Sequence, residues 1–481
     1  MILPCSDYPE DRLTTILKEQ GLELIYKTYS ERPEGSAGNE VAWAVPEYTK
    51  DKQFSAFGIK LHISANAYNS AMVATEVIPR LLRRQCAFKC LATTSMVLRQ
   101  NNGLYGHTQI GKFITVYPEM THSELLSLAR ELAEATKDVH APDVPTDYRL
   151  FDYGSVYYRY GEILAATSTH VSPEDYDYQD TRDIRVPVPP QVDDPLAAWR
   201  SSEEAEALLP KQYVVTGTLR QRASGTVLRA TELRLDEHGR VCGTRRVVLK
   251  QGRWSGEALS PTCDAQARLL WQESVLDRLG KEPEFPEVLG SFMVGRDRFL
   301  SMADLGGESL WATLRSASEP VDPEWVRRIT QSIAGALAKV HNQGLLAGDL
   351  SPDNILILED EKIGVADLAD TIGPNSPNTG AIGTVGYIPQ RAHLRITRAR
   401  DLFGLSALVH DMISAPIAEL PRQESTPQSS KYRIQLPPST PPDLKELGEL
   451  CLDEDNFENL RFVEERLQAL VRLPENVHEM A

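Results

Sequence analysis

Residues 347–370 read AGDLSPDNILILEDEKIGVADLAD, and three polar side chains in that run decide how the second half of the chain is read. Asp349 is followed five positions later by Asn354, and Asp367 lies thirteen beyond that. Phosphoryl transfer from a nucleotide needs a carboxylate beside the acceptor hydroxyl and two oxygen ligands that hold Mg²⁺ on the phosphates. A tight loop followed by a β-hairpin supplies such groups at about this spacing. Asp349 is thus the candidate for orienting or deprotonating a hydroxyl, with Asn354 and Asp367 the candidate metal ligands.

Working upstream, residues 213–235 (YVVTGTLRQRASGTVLRATELRL) form two strand-like runs around a turn with Ser224 and Gly225. Glycine there lets backbone N–H groups approach phosphate oxygens. Only Gly217 and Gly225 remain of a Gly-rich pattern. The β-branched run RRVVLKQ then ends near Lys250, an amine suited to the α- and β-phosphates if an acidic partner holds it. In AQARLLWQESVLDRLG, Ala267, Leu270, Leu276 and Leu279 are expected core positions of an amphipathic helix, and Glu273 is the expected partner of Lys250. WVRRITQSIAGALAKVHNQG reads as a helix with Ile329, Ile333, Leu337 and Val340 on one face, closed by Gly344. Beyond the central run, DLFGLSALVHDMIS reads as a buried helix. Asp401 at its start either caps it or ties down the 347–354 loop.

These elements, in this order, resemble the protein-kinase superfamily over about residues 210–475. The resemblance implies an N-lobe over about 211–305 and a C-lobe over about 306–481, using ATP, or GTP as an alternative, with Mg²⁺. Ala347-Gly348 replaces the usual His-Arg, Ser351 replaces a common Lys, and Asp367-Leu368-Ala369 replaces Asp-Phe-Gly. Gln390 stands where a Glu often pairs with a distant Arg. Because the metal ligands and Asp349 are retained, an active kinase is expected rather than a pseudokinase.

Composition sets the outer bounds. The 481 residues, 41% hydrophobic and 25% charged, suit a globular α+β chain of two or three domains. A net charge of -17 argues against a general nucleic-acid or anionic-membrane binder. The N-terminus MILPCSDYPEDRL lacks a signal-peptide pattern and no apolar run is long enough to span a bilayer, so a cytoplasmic location is expected. Six cysteines in so long a chain do not make a disulfide framework, and Cys86 with Cys90 reads as packed thiols rather than a metal pair. The Pro- and acid-rich stretch at 183–210 reads as a linker between a first domain (1–182) and the kinase-like domain (211–481).

The first block carries a different pattern. In AFGIKLHISANAYNSA, Lys60, His62 and Ser64 alternate with Ile59, Leu61 and Ile63, so a strand would bury the apolar set and present the polar one. Lys89 (CAFKCLAT), Lys112 and Tyr117 (GKFITVYP), and Arg149 and Arg159 lie on further expected strands or their ends. So many cations converging in an acidic protein suggest a site for a dianion such as phosphate. A lysine among cations also has its charged form disfavoured, which suits a general base.

These runs resemble the N-terminal phosphoSer/phosphoThr lyase domain of class III lanthionine (lanthipeptide) synthetases, whose kinase domains are of the divergent GDLSPxN kind. By that resemblance Lys89 is the base that removes an α-proton and His62 the acid that protonates departing phosphate. Lys60, Arg149 and Arg159 would grip phosphate, assisted by Lys112 and Tyr117. The implied partner is a ribosomally made precursor peptide with a leader and a Ser/Thr-containing core. Such synthetases continue into a cyclase domain, whereas about eighty residues follow Asp401 here, so the expectation is either a two-domain relative, with any cyclase supplied separately, or a piece from which the cyclase domain was removed. The expected activity is a peptide dehydratase. The alternatives are a Ser/Thr kinase with a phosphopeptide-binding N-terminal domain, or a non-enzymatic pseudokinase scaffold.

Overall fold

The computed structural model of the 481-residue chain describes residues 11–28, 40–49, 52, 54–163, 188–202, 208–415, 436–459 and 461–465. Helices and sheets mix throughout, as the α+β expectation requires. The first sheet comprises β1 (Glu23–Thr28), β2 (Glu40–Val45), β3 (Phe57–Ile63), β4 (Ala87–Leu91), β5 (Ile114–Tyr117), β6 (Tyr148–Arg149) and β7 (Val156–Glu162). Its strand order is β1-β2-β4-β5-β3-β7-β6, with antiparallel pairing at every junction.

Strand alternation divides this sheet into a core face and a polar face. Phe88, Val116, Leu61 and Tyr158 are cross-strand partners in one row and are all buried. Helix α1 (Arg12–Glu19) precedes β1, α2 (Ser70–Arg83) follows β3, and α3 (Thr94–Asn101) and α4 (His122–Ala135) flank β5. Helix α2 buries Val73, Ala74, Val77, Ile78 and Leu81, one face of a 3.6-residue period, in the core formed with that row. Each such aliphatic side chain contributes about 1.5–3 kcal/mol by leaving water. Helix α4 starts at a capping box in which Glu124 N donates to Thr121 Oγ1 while Thr121 N donates to Glu124 Oε2.

Residues 188–202, which by composition read as linker, pack on this sheet instead. Leu196 is fully buried in its core, and Asp194 accepts from Tyr158 Oη at 2.9 Å and Arg200 Nη2 at 2.7 Å. Proline and acid content cannot reveal such long-range partners.

The second half begins with β8 (Tyr213–Arg222), β9 (Gly225–Leu235), β10 (Val241–Gly252), β11 (Val288–Val294) and β12 (Asp297–Ala303), ordered β11-β12-β10-β9-β8, with α5 (Ala265–Leu279) against them. A short sheet of β13 (Glu308–Ser309), β14 (Ile355–Ile357) and β15 (Ile363–Val365) follows. It accompanies α6 (Leu310–Ser316), α7 (Pro323–Asn342), α8 (Arg398–Ser414) and α9 (Pro442–Glu449). Helix α7 matches its expected face: Ile329, Ile333, Leu337 and Val340 are buried, Asp322 caps it, and Gly344 follows its C-cap. Among the described residues no helix is long and apolar enough to cross a membrane.

The register of α5 differs from expectation. Its buried residues include Arg268, Leu269, Gln272, Val275, Leu276 and Leu279, whereas Leu270 is exposed and Ala267 is only half-buried. Leu276 and Leu279 are buried as expected, so the face differs only in the first half of the helix, where Arg268, Leu269 and Gln272 are buried in place of Ala267 and Leu270.

The two halves touch directly. Asn66 Nδ2 donates to Ser255 Oγ at 2.5 Å, Arg296 Nη1 donates to Asp143 Oδ1 at 2.8 Å, and the His140 and Trp254 rings meet edge-on at 4.5 Å.

Candidate active sites

The loop carrying Asp349 is held from beneath. Buried Asp401 accepts from Ala347 N at 2.8 Å, Gly348 N at 3.1 Å and His341 Nε2 at 2.8 Å. Of the two roles open to Asp401, the structure shows the loop tie; Thr397 caps α8 through Ala399 N. Gly348 has φ +84°, and a Cβ there would lie 2.0 Å from the Asp370 carbonyl oxygen, so no side chain fits. Arg400 Nε donates to Gly348 O, its Nη2 to Ile382 O, and its Nη1 to Gly380 O at 2.9 Å. A buried arginine from α8 therefore bridges the loop to residues 380–382, although the loop itself lacks the usual His-Arg.

Asp349 is fixed on both carboxylate oxygens. Oδ1 accepts from Thr384 N at 2.7 Å, and Oδ2 from Thr384 Oγ1 at 3.0 Å and Asn354 Nδ2 at 3.2 Å. Asn354 O accepts from Ala366 N at 2.9 Å, which sets Asn354 beside Asp367. Asp367 Oδ1 accepts from Lys250 Nζ at 2.5 Å and Ala369 N at 3.0 Å. Burial pushes the Asp367 carboxyl up, but the Lys250 charge and hydrogen bonds outweigh it and hold the group down at about 2. These residues fit a Mg²⁺ site: the amide of Asn354 uses its nitrogen on Asp349, leaving Oδ1, and Asp367 is an ionised carboxylate.

The expected partner of Lys250 needs correction. Lys250 Nζ donates to Gln272 Oε1 at 2.8 Å, not to Glu273. Gln272 is fully buried on α5, whereas Glu273, the next residue, is only partly buried. Gly225 lines the cleft, and a Cβ there would meet Gln251 O at 2.0 Å. Gly217 lies instead at a bulge in β8 with open space around it. The cleft, about 610 Å³ open to solvent, is lined by Arg220, Arg222, Val227, Lys250, Asp349 and Asp367 among others.

The polar face of the first sheet gathers the other candidates. Lys89 pairs with Thr115, Thr115 with His62, His62 with Tyr157, and Tyr157 with Arg149, one transverse row over five strands. Directly opposed residues share a face, and so do residues two apart, so Lys60, Arg159 and Tyr117 belong to it as well. Lys89 and His62 are two strand spacings apart, about 10 Å of backbone. Lys89 Nζ lies 4.2 Å from the Trp43 ring centroid, and Lys60 Nζ donates to Glu162 O at 2.7 Å.

These are not solvated charges. His62 is 3% exposed, Arg159 4%, and Lys112 and Arg149 6%. At their centre is Asp147, fully buried and not singled out in the sequence. His62 Nδ1 is hydrogen-bonded to Asp147 Oδ2, and Lys112 Nζ lies 3.3 Å from Asp147 Oδ1. Burial pushes the Asp147 carboxyl up, yet Lys112, His62 and Arg159 together hold it far below the usual range. Burial also lowers His62, and Lys112 and Lys60 reinforce that against Asp147, leaving it at about 4. The available signal for Asp147 was an acid two residues before Arg149 within a cationic set. Cys86 and Cys90 are buried thiols, and among the described residues no cluster of three His, Cys, Asp or Glu could hold a metal.

Fold and cleft define a protein-kinase-like domain preceded by a mixed domain with a buried cationic face. Residues 28–207 match the family model "RamC, N-terminal domain", and residues 258–467 match "Protein tyrosine and serine/threonine kinase". The chain is similar to a probable SapB synthase of Streptomyces coelicolor, 26% identical over 394 residues, covering 76% of this chain and 41% of that protein. It is also similar to the serine/threonine-protein kinases PknL of Mycobacterium tuberculosis and PkaA of Streptomyces coelicolor. Both are 28% identical, over 43% and 52% of this chain and 50% and 48% of theirs. The chain thus spans about half or less of the length of these relatives. A RamC N-terminal domain followed by a kinase domain fits the class III lanthionine synthetase resemblance.

Proposed function

We propose that the chain is a bifunctional peptide dehydratase, divided between its halves near residues 203–210. The second half transfers the γ-phosphoryl group of ATP, or GTP, to a Ser or Thr hydroxyl. Asp349 takes the hydroxyl proton as the oxygen–phosphorus bond forms and the nucleoside diphosphate departs. Lys250 holds the phosphates, and Asn354 and Asp367 would hold Mg²⁺, which supplies charge neutralisation to the phosphate oxygens when bound.

The first half then eliminates that phosphate. Lys89 in its neutral form takes the α-proton, the Cα–H electrons form the Cα=Cβ bond, and the Cβ–O bond breaks. His62, protonated, donates to the departing oxygen, while Lys60, Arg149 and Arg159, with Lys112 and Tyr117, balance the dianion. The products are a dehydroalanine or dehydrobutyrine residue and inorganic phosphate. The observation that supports this reading is the single row Lys89–Thr115–His62–Tyr157–Arg149, which sets a lysine, a histidine and an arginine on one face of the first sheet.

Mass spectrometry of a Ser/Thr-containing precursor peptide incubated with ATP and Mg²⁺ tests it. The expected wild-type product has lost one water per modified residue, and Lys89→Ala should stop at the phosphopeptide. Phosphopeptide as the final wild-type product would instead indicate a kinase with a phosphopeptide-binding domain.

A further inference from the structure

The turn over the nucleotide cleft carries two arginines where such loops carry glycines. A phosphate-covering loop of the pattern G-x-G-x-x-G-x-V places its third glycine two residues before a valine. Here that pair is Gly225 and Val227, which puts Arg220 and Arg222 at the first and second glycine positions. We propose that Arg220 and Arg222 form a guanidinium clasp that grips the triphosphate of the bound nucleotide in place of the missing glycine backbone. This rests on the kinase half of the proposed function.

Strand geometry aims both residues at the cleft. A register shift between Thr218 and Arg220 resets the alternation of β8, after which Arg220 pairs with Val227 and Arg222 with Gly225. Val227 in turn pairs with Lys250 on β10. Opposed residues share a face, so Arg220, Val227 and Lys250 form one row above the phosphate position, with Arg222 two residues further toward the tip. All four line the cleft.

Charge accounting singles out the same two side chains. Of the cleft's four cations, Lys250 is paired with Asp367, and Arg268 with Glu257 at 3.1 Å and Asp370 at 3.2 Å. Among the described residues neither Arg220 nor Arg222 makes an ion pair. Arg222 lies within the field of Glu257, Asp349 and Asp353, and Arg220 within that of Asp367, so the two reach from the upper sheet toward the catalytic loop. The two guanidiniums, two residues apart on one sheet face, repel each other, and a triphosphate between them offsets that repulsion. A guanidinium fork can bind phosphate oxygens bidentately, which a backbone N–H cannot.

The test is nucleotide affinity by calorimetry on the full chain with Mg²⁺, using ATP, ADP and adenosine. Arg220→Gly with Arg222→Gly restores the usual glycines, yet should weaken ATP binding about tenfold or more, the scale of one lost charge-assisted contact. ADP should lose less and adenosine nothing, while Arg220→Lys with Arg222→Lys should recover part of the loss. In turnover with peptide the change should appear in KM for ATP. Unchanged ATP affinity in the glycine variant would overturn the clasp, as would an equal loss for adenosine or a change confined to KM for the peptide. Wild-type protein that binds none of the three would overturn the kinase reading itself, a distinguishable result.

Discussion

Asp143 Oδ1 accepts two hydrogen bonds from opposite sides: Tyr157 Oη at 2.6 Å and Arg296 Nη1 at 2.8 Å. Tyr157 stands beside His62 in the polar row, and Arg296 lies in the turn between β11 and β12 above the nucleotide cleft. Arg296 also stacks over Trp254, 4.4 Å from its ring centroid, and Trp254 N donates to Asp297. Because the Asp143–Arg296 pair is partly exposed, its worth is about 1 kcal/mol. Arg296→Ala should therefore speed hydrogen exchange at the Trp254 amide roughly fivefold while leaving the β3 and β7 amides protected. Exchange unchanged throughout would show that the ion pair does not hold the two halves together.

His62 should change protonation when phosphate arrives. Burial first, with Lys112 and Lys60, keeps it at about 4 in the free protein, below its ordinary 6.5. Between those values the unfolded chain binds a proton that the folded chain does not, so stability falls as pH drops from about 6.5 to about 4. A dianion among the same cations reverses the balance and favours imidazolium, the form that can act as acid. Calorimetry with a phosphoserine peptide at about pH 7.5, where the phosphate is already dianionic, in buffers of different ionisation enthalpy, should show proton uptake on binding, and His62→Gln should abolish it. Proton-neutral binding by the wild type would remove His62 from the role of acid.

Asp147→Asn tests the residue that orients that imidazole. Losing the carboxylate should lower His62 further and slow elimination about a hundredfold, within the range a positioned acid supplies. Phosphorylation should continue, so phosphopeptide should accumulate in the mass spectrum. Full dehydration at the wild-type rate would reduce Asp147 to a structural counter-ion of Lys112.

What could be read in the chain tracks the distance over which each residue finds its partner. Asp349, Asn354 and Asp367 lie in one short run whose loop and hairpin bring them together, so spacing alone placed them. Lys60 and His62 share a face by strand alternation, which is equally local. The Asp147–His62 contact spans 85 residues of sequence, and no periodicity reports it. Arg400 was hidden for the same reason: its carbonyl partners belong to the catalytic loop and residues 380–382, far from α8 in sequence. The buried face in the first half of α5 was missed because an arginine and a glutamine occupy it, where hydrophobic spacing looks for leucine.

The buried Gln272 makes its own prediction. Gln272→Ala removes the neutral acceptor of Lys250 and leaves Asp367 as the partner shown for its amine, so nucleotide turnover should fall several-fold. Glu273→Gln should alter the same rate little, since Lys250 donates to Gln272 and Asp367 instead. Steady-state ADP release measures both, and the reverse ranking would restore Glu273 as the lysine's partner.

Gly348 offers a way to separate the two activities. At φ +84° with Asp370 O only 2.0 Å from a Cβ position, Gly348→Ala must shift the catalytic loop or residue 370. Left-handed strain and the clash together cost about 3 kcal/mol or more, spent on the segment that also receives Asp401 and Arg400. Kinase turnover should drop by two orders of magnitude or more, because Asp349 loses its fixed position between Thr384 and Asn354. The polar row lies on the first sheet and this loop in the second half of the chain, so a chemically synthesised phosphopeptide should still lose phosphate at close to the wild-type rate. Loss of both activities with an unchanged melting temperature would mean that the first sheet depends on the kinase loop for its chemistry. Retained kinase activity would mean that the loop tolerates a side chain where the structure leaves no room for one.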